Sequence, residues 1–177
     1  MKEIQKITVK GTRITIQYTE EHNSYTSEYT VTSFEEARPE LYMAMNALTD
    51  SVAVMLNMTE IQDITERLIP YGITVSMDMN GTKKVRFLCR FLFPELKAET
   101  TLISPLMTEY TVENRAKAGR YLSKTDTEKV NNLIHEAVLY ADGKRAQMSL
   151  WNDGADQRVE PQIAEPVAAA PAATRLN

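Results

Sequence analysis

The chain has 177 residues and a mass of 20.1 kDa, the size of one ordinary domain with a tail. Apolar residues make up 43% and charged residues 25%, which excludes a wholly disordered chain. The net charge of −4 argues against bulk electrostatic binding of nucleic acid, although a local basic surface stays compatible with it. Because no run of about 18 apolar residues occurs, we expect no transmembrane helix.

The first third of the chain is predicted to form β-strands. Ile14, Ile16 and Tyr18 alternate with polar residues, and the same alternation returns at 25–31 after a polar turn. Alternation of β-branched and aromatic residues with polar ones is typical of a strand with one buried face. Residues 7–9 either form an earlier strand or extend the same one.

A helix is predicted to begin at Pro39, where the missing N–H costs no hydrogen bond. Apolar residues follow at helical spacing and indicate one buried side. This helix should end near Asn57. The next stretch, 59–68, fits neither period, and Pro70 with Gly72 should end whatever forms there.

The clearest hairpin lies at 73–93. Its apolar residues occupy odd-numbered positions on both sides, so both sets share one face only if an odd number of residues connects the strands. We therefore predict the loop 79–81, with Gly81 in a left-handed conformation. A further extended piece, 100–107, is expected at the edge of the sheet because it contains Pro105.

The last part of the chain is predicted to be helical and then disordered. A short helix is expected over 111–121, and the capping-box pattern at 125–128 opens a longer one with an apolar stripe. Residues 168–173 are all Ala or Pro, so 152–177 is predicted to be a disordered tail. Together these elements predict an α+β fold, in which a small, mainly antiparallel sheet packs against two principal helices.

Residues that usually carry catalysis are few. His22 lies in a predicted turn, where a solvated histidine is far commoner than a general base, and His135 lies at the boundary of the last helix. Cys89, the single cysteine, falls on the apolar side of a strand and should behave as a small hydrophobic residue. These three residues are too few for a structural zinc site. We therefore expect no catalytic residue, metal or cofactor, and no enzymatic activity.

A basic face is predicted on the second strand of the hairpin. Lys84, Arg86 and Arg90 occupy even positions, with Lys83 beside them, and the neighbouring phenylalanines fall on the opposite face. Those aromatic rings cannot stack bases beside the basic groups, which weakens a nucleic-acid interpretation. A second basic cluster follows at 115–129. Charge runs are also typical of solvated surfaces, so single-stranded nucleic-acid binding is kept as an alternative function.

The most specific motif is a pentapeptide between the predicted fold and the tail. It consists of Gln147, Met148, Ser149, Leu150 and Trp151. It resembles the peptide, commonly Gln-Leu-Ser/Asp-Leu-Phe, with which bacterial replication proteins bind the sliding clamp. The resemblance implies that Gln147 hydrogen-bonds beside a groove on the clamp and that Leu150 and Trp151 fill a pocket between two clamp domains. Alternatively, Leu150 and Trp151 form a hydrophobic cap on the last helix.

Two further segments resemble stretches of small uncharacterised phage and prophage proteins. Segment 37–44 reads Ala-Arg-Pro-Glu-Leu-Tyr-Met-Ala, and segment 140–147 reads Tyr-Ala-Asp-Gly-Lys-Arg-Ala-Gln. The resemblance covers most of 1–151 but is specific only in these segments. It implies a phage or prophage origin and brings no activity with it.

The combined expectation is a phage-encoded, non-enzymatic accessory protein of DNA replication or recombination that docks on the host sliding clamp. The predicted limits are 1–146 for the domain, 147–151 for the motif and 152–177 for the tail. The amino terminus lacks the apolar stretch of a secretory signal, so we expect the cytoplasm of the bacterial host. Alternative functions are single-stranded nucleic-acid binding and inhibition of a host enzyme or defence system. The oligomeric state is left open.

Overall fold

The structure, a computed structural model, describes residues 2–112 and 120–146. Within these residues, seven strands form one antiparallel sheet that carries four α-helices. The strands are β1 (Lys2–Lys10), β2 (Arg13–Glu21), β3 (Thr26–Ser33), β4 (Leu68–Met77), β5 (Lys83–Phe93), β6 (Ala98–Ile103) and β7 (Met107–Thr108). The helices are α1 (Pro39–Asn46), α2 (Thr49–Met55), α3 (Ile64–Arg67) and α4 (Lys124–Ala141). The predicted α+β class with a mainly antiparallel sheet is confirmed.

The strands follow the spatial order β3-β2-β1-β4-β5-β6, and β7 also pairs with β5. The helices pack on one face of this sheet, where they enclose a single hydrophobic core. Fully buried side chains of that core come from both layers: Ile7, Ile16, Ile73 and Phe87 from the sheet, and Leu41, Val52, Leu133 and Tyr140 from the helices, with Leu48 from the turn between α1 and α2. The opposite face, called here the outer face, carries mostly polar and charged side chains on alternate positions.

The prediction of one unbroken helix from Pro39 to Asn57 is wrong, because two helices, α1 and α2, occupy this stretch. The Leu48 N–H donates to the Met45 carbonyl at 3.2 Å, a bond of the tighter i→i+3 type. The Thr49 hydroxyl donates to the Asn46 carbonyl at 2.9 Å and competes there with regular helix bonding. The predicted end is confirmed, since Asn57 has a left-handed φ of 56° and follows α2.

Pro70 and Gly72 do not end an element, as the sequence predicted, but lie inside β4. The ladder between β1 and β4 reaches only from Thr74 to Gly72, so Pro70 lies where β4 is paired on one side, with β5. A strand tolerates the missing N–H of proline at such a position. The register between β4 and β5 shifts between Pro70 and Gly72, which marks a bulge there.

The predicted hairpin between β4 and β5 is confirmed. Val75 pairs with Val85 and Met77 with Lys83, so odd positions face odd positions and both apolar sets share the core face. The Asp78 N–H donates to the Thr82 carbonyl at 3.0 Å and closes the loop 79–81. Within it, Gly81 has the expected left-handed conformation, with a φ of 74°.

The capping box of α4 lies two residues earlier than the sequence predicted. Ser123 is the N-cap, its hydroxyl accepting from the Asp126 N–H at 3.0 Å, and α4 begins at Lys124. Of the short helix predicted over 111–121, residues 113–119 lie outside the described chain. Arg120 to Leu122 is extended, because its backbone pairs with Thr108.

Replacing Ser104 by alanine is expected to reduce the free energy of unfolding by about 1–3 kcal/mol, because it leaves a buried N–H without a partner. Ser104 lies between β6 and β7 and is 3% exposed. Its hydroxyl accepts from the Phe87 N–H at 2.9 Å, where no strand partner is available. Urea denaturation measures the change. Ser76→Ala, at an exposed strand position, is the control and should change stability by less than about 0.5 kcal/mol.

Candidate functional site

The predicted clamp-binding motif, Gln147 to Trp151, lies outside the described residues, and so does the predicted tail. The described chain leads directly to this motif and ends at Ala146. The Ala146 N–H donates to the Glu36 carbonyl at 3.1 Å, so the last described residue is bonded to the segment that precedes α1. We call this attachment of Ala146 to Glu36, together with the contacts of Tyr140 and Arg145 with Glu35, the anchor. The motif continues from the anchor.

The end of α4 places this anchor. Gly143 follows the helix with a φ of 88°, the left-handed conformation that ends a helix. Its N–H donates to the Tyr140 carbonyl at 3.0 Å, and the Lys144 N–H donates to the Leu139 carbonyl at 2.9 Å. Both bonds reverse the chain direction and turn 144–146 towards the segment before α1. Gly143 therefore lies at the end of α4.

Arg145 and Tyr140 fasten the chain to that segment. The Arg145 Nε lies 2.7 Å from the Glu35 Oε2, and the guanidinium lies 3.7 Å from the centroid of the Tyr140 ring. The Tyr140 hydroxyl donates to the Glu35 carbonyl at 2.7 Å while its side chain is almost fully buried. A hydrogen bond from Tyr140 and an ion pair from Arg145 thus meet at Glu35, and a cation–π contact joins Arg145 to Tyr140.

Segments 37–44 and 140–147 meet beside this anchor. Residues of both line one cleft of about 510 Å³: Arg38, Pro39, Glu40, Lys144, Arg145 and Ala146. Across its rim, the Arg38 Nε lies 3.3 Å from the Glu40 Oε2. A backbone N–H at the start of α1, together with this guanidinium, lowers the pKa of Glu40 below its ordinary value. The cleft has a mixed polar and apolar lining, and its charged groups are paired or exposed.

A second contact ties the end of α4 to the sheet. Asp142 forms an ion pair with Lys2 at the start of β1. The hydrogen bond to Asp142 raises the pKa of the Lys2 ammonium above its ordinary value, since the bond favours the charged form. Lys2 also lies 5.1 Å above the Tyr18 ring. The carboxy-terminal end of α4 is therefore held both by the sheet and by the segment before α1.

The four predicted nucleic-acid-binding residues do not share one surface. Lys84, Arg86 and Arg90 alternate with buried residues of β5 and lie on the outer face, as predicted. Lys83 points to the other side, where its Nζ donates to the Asn131 Oδ1 of α4 at 2.7 Å. Only three of the four predicted cations therefore belong to the basic face.

Two of these three cations are engaged by carboxylates. The Lys84 Nζ lies 3.7 Å from the Asp78 Oδ2, and the Arg90 Nη1 lies 3.4 Å from the Glu99 Oε2. Arg86 is exposed and has no ion-pair partner among the described residues. Lys6 adds a further cation in the same row, because Lys6 pairs with Thr74, which pairs with Arg86. The outer face is thus basic, but it carries few cations that are not paired with a carboxylate.

The aromatic residues behind the basic face are unavailable for base stacking. Phe87 is fully buried, and Phe91 is 5% exposed in the core. On the core side, the Arg67 guanidinium lies 5.0 Å from the centroid of the Phe91 ring. The sequence placed these rings opposite the cations, and the burial of β5 agrees with that placement.

The structure describes both histidines and the single cysteine, and they belong to different elements of the fold. His22 is exposed at the tip of the hairpin between β2 and β3 and stacks on Tyr25, with ring centroids 4.7 Å apart. His135 is exposed on α4. Cys89 is fully buried, and burial raises the pKa of its thiol to about 12. Over residues 2–112 and 120–146, no three histidine, cysteine or acidic side chains come together as metal ligands.

Comparison with known proteins found no match to this chain. Neither a protein-family model, nor a curated protein, nor a solved structure matches this chain. In the part of the chain that the structure describes, no helix has the length and apolar character needed to cross a membrane.

Sequence reasoning missed the contacts that make up the anchor. Tyr140 and Glu35 are 105 positions apart, and neither carries a local pattern that names the other. Tyr140 and Arg145 fall in segment 140–147, whereas Glu35 and Glu36 lie just before segment 37–44, so no local pattern marks their side of the anchor.

Proposed function

We propose that this protein is a phage-encoded, non-enzymatic accessory factor of DNA replication or recombination that docks on the host sliding clamp. The pentapeptide Gln147 to Trp151 would be the docking segment. The observation that carries the proposal is that this pentapeptide follows directly on Ala146, which is bonded to Glu36. Docking either recruits the folded domain to replicating DNA or competes with the host polymerase for the clamp.

The chemistry of the pentapeptide supports this proposal. A short peptide obtains most of its affinity from a few buried apolar and aromatic anchors, and Leu150 with Trp151 are of that kind. Gln147 offers an amide that both donates and accepts. Because Ala146 is anchored, the start of the peptide is tied to the fold, which restricts the volume it has to search.

The double substitution Leu150→Ala and Trp151→Ala is expected to weaken clamp binding by about 1,000-fold, since each buried anchor contributes about 2 kcal/mol. Isothermal titration calorimetry of the full chain with the purified host clamp measures the affinity. The matched control, Val159→Ala and Ile163→Ala, removes two apolar side chains beyond the motif and should bind as the parent does.

Two results would contradict clamp docking: no binding by the parent chain, or equal binding by the double variant. Thermal unfolding of the same variants tests the alternative in which Leu150 and Trp151 cap the last helix. A cap predicts a lower melting temperature for the double variant and unchanged affinity. Docking predicts the reverse, an unchanged melting temperature and lost affinity.

A second candidate function is single-stranded nucleic-acid binding, which the row of Lys6, Thr74 and Arg86 on the outer face favours. Affinity for nucleic acid falls as salt concentration rises. Replacing Lys84, Arg86 and Arg90 by glutamine should make the slope of log affinity against log salt less steep by about 2, because each phosphate contact contributes about 0.7. Fluorescence anisotropy with a labelled oligonucleotide between about 50 and about 200 mM salt measures this slope.

A control variant for this test removes the same number of charges elsewhere. It replaces three exposed lysines by glutamine: Lys97, Lys124 and Lys144. If both variants weaken binding equally, the effect is one of net charge and the outer face has no special role. The specific candidate requires the loss to be confined to the first variant.

A further inference from the structure

One edge of the sheet is formed by β3, whose pairing is complete on one side only. Its eight residues pair with β2 in unbroken register, from Thr26 opposite Glu21 to Ser33 opposite Ile14. Among residues 2–112 and 120–146, β2 is the only strand that pairs with β3. A straight, regular edge of this length presents a row of main-chain donors and acceptors to a further strand.

The outward-pointing groups can be assigned from the turn that joins β2 and β3. The His22 N–H donates to the Tyr25 carbonyl at 2.8 Å, so these two residues form a hydrogen-bonded pair in the β2–β3 register. Such pairs recur at every second residue of an antiparallel ladder, which makes Tyr18 and Tyr29 another one. The intervening residues of β3 direct their N–H and C=O groups away from β2: Thr26, Glu28, Thr30 and Thr32.

The edge lacks the features that prevent pairing between sheets. Proteins block such edges with proline, lysine, bulges or very short strands. β3 has no proline and no lysine, its ladder with β2 shows no bulge, and Glu28 is its single charged residue. The opposite edge differs, because β6 has only six residues and follows a helical turn at 94–96.

We propose that two copies of this chain associate through β3, antiparallel, about a two-fold axis at Tyr29. The two sheets then join into one, with the helices of both copies on the same face. Thr26 pairs with Thr32 of the other copy, and Glu28 pairs with Thr30, each pair occurring twice. All four outward-facing residues are used, and the four pairs exchange eight main-chain hydrogen bonds.

The neighbouring registers are less favourable for identifiable reasons. A shift that centres the axis on Thr30 places Thr26 opposite Phe34, which lies beyond the end of β3. A shift that centres it on Glu28 brings two carboxylates directly opposite each other, which is destabilising. Centring on Tyr29 avoids both problems. The length of β3 and the position of its single charge therefore select one register.

The axis also brings together aromatic surface that the single chain exposes. Tyr29 lies on the core side of β3 and stacks on Tyr18 with ring centroids 5.2 Å apart. It is still 40% exposed, because no other described strand pairs with β3 on that side. At the axis, the two Tyr29 rings become cross-strand neighbours. Aromatic pairs across antiparallel strands add stability beyond the main-chain bonds. Association of two β3 strands would thus both bury Tyr29 and pair the main-chain groups of the edge.

Sedimentation equilibrium of the full chain tests the association directly. The parent should show a reversible, concentration-dependent dimer, and Thr30→Pro should be monomeric over the same range. Proline at position 30 removes an outward N–H and leaves the bonds to β2 intact, so the circular dichroism spectrum should be unchanged. A monomeric parent, or a Thr30→Pro variant that still dimerises, would overturn the proposal.

Two opposite charges at one position test the register. In the proposed dimer, residue 30 faces Glu28 of the other copy twice. Thr30→Glu should therefore weaken the dimer, and Thr30→Lys should strengthen it, by about fivefold each at low salt. Both substitutions are at an exposed position of the monomer. If both weaken the dimer equally, residue 30 faces itself and the Tyr29-centred register is wrong.

A disulfide at the axis gives a covalent test. Tyr29→Cys places two thiols on non-hydrogen-bonded partners, whose Cα atoms lie about 4.5 Å apart, within the range that a disulfide spans. Oxidised glutathione should convert this variant to a covalent dimer, while the control Ser27→Cys should stay uncrosslinked because Ser27 faces Val31. Cys89 is fully buried and does not compete. Equal crosslinking of the two variants would contradict the axis.

Discussion

Replacing Gly72 by alanine is expected to lower the free energy of unfolding by about 3 kcal/mol, which is the upper range for overpacking in a well-packed interior. A Cβ atom on Gly72 would lie 2.4 Å from the Ile7 carbonyl oxygen and 3.0 Å from the Thr8 Cγ2. The first contact is with backbone, which cannot rotate away. The β1–β4 ladder would have to separate at its end.

The position of Gly72 makes this separation costly. Three pairs connect β1 to β4, and Gly72 opposite Thr8 is the last of them. This ladder is also the connection between the amino-terminal strands and the remaining sheet, since β2 and β3 follow β1 in the spatial order. Opening it exposes core residues on both sides, among them Ile7 and Ile73.

Urea denaturation followed by circular dichroism measures the Gly72→Ala change, with Gly81→Ala as the control. Gly81 has a left-handed φ of 74° but open space around its Cα, so alanine there should cost only about 1 kcal/mol of backbone strain. An equal effect at both positions would mean that the close approach of β1 to β4 is not what requires glycine at 72.

Replacing Tyr140 by alanine is expected to cost about 3–5 kcal/mol, because it empties a large buried site. The side chain is 1% exposed and is the largest of the fully buried ones in the described chain. The same change removes the hydroxyl bond to the Glu35 carbonyl and the ring beneath Arg145. The packing of α4 and the anchor before the pentapeptide should weaken together.

Tyr140→Phe separates these two effects. It keeps the ring and removes only the hydroxyl, so stability should fall by about 1 kcal/mol. Hydrogen exchange at the Ala146 amide should become faster in both variants, because Tyr140 and Ala146 bind adjacent residues of the same segment. Tyr25→Ala, at a side chain that is 61% exposed, is the control for urea denaturation. Unchanged exchange at Ala146 would show that its bond to Glu36 is independent of Tyr140.

Local patterns were sufficient for several elements of the fold. The odd-numbered apolar positions of β4 and β5 require both an odd connection and a left-handed Gly81, and the structure has both. Pro39 begins a helix because its fixed φ and missing N–H suit that position. Asn57 ends one because asparagine tolerates a left-handed conformation. In each case the reason lies within a few residues of the chain.

Other elements depended on distant parts of the chain. Pro70 and Gly72 usually end an element, yet they lie in a strand here. The β1–β4 ladder stops at Gly72, before Pro70, and β1 approaches Gly72 too closely for a side chain. The break between α1 and α2 lets Leu41, Leu48 and Val52 all reach the core. The spacing of residues along the chain does not show where the neighbouring strand or the core lies, and these positions decide the strand at Pro70 and the break between α1 and α2.

The candidate site divides in the same way. The single tryptophan, the scarcity of cysteine and histidine, and the pentapeptide 147–151 are all properties of the sequence by itself, and the α+β class followed from its periodicities. The anchor of Arg145 on Glu35 and the open edge of β3 came only from the tertiary structure. Folding of the whole core decides which distant residues form ion pairs and in which order the strands pair. Short segments of the sequence therefore predict neither.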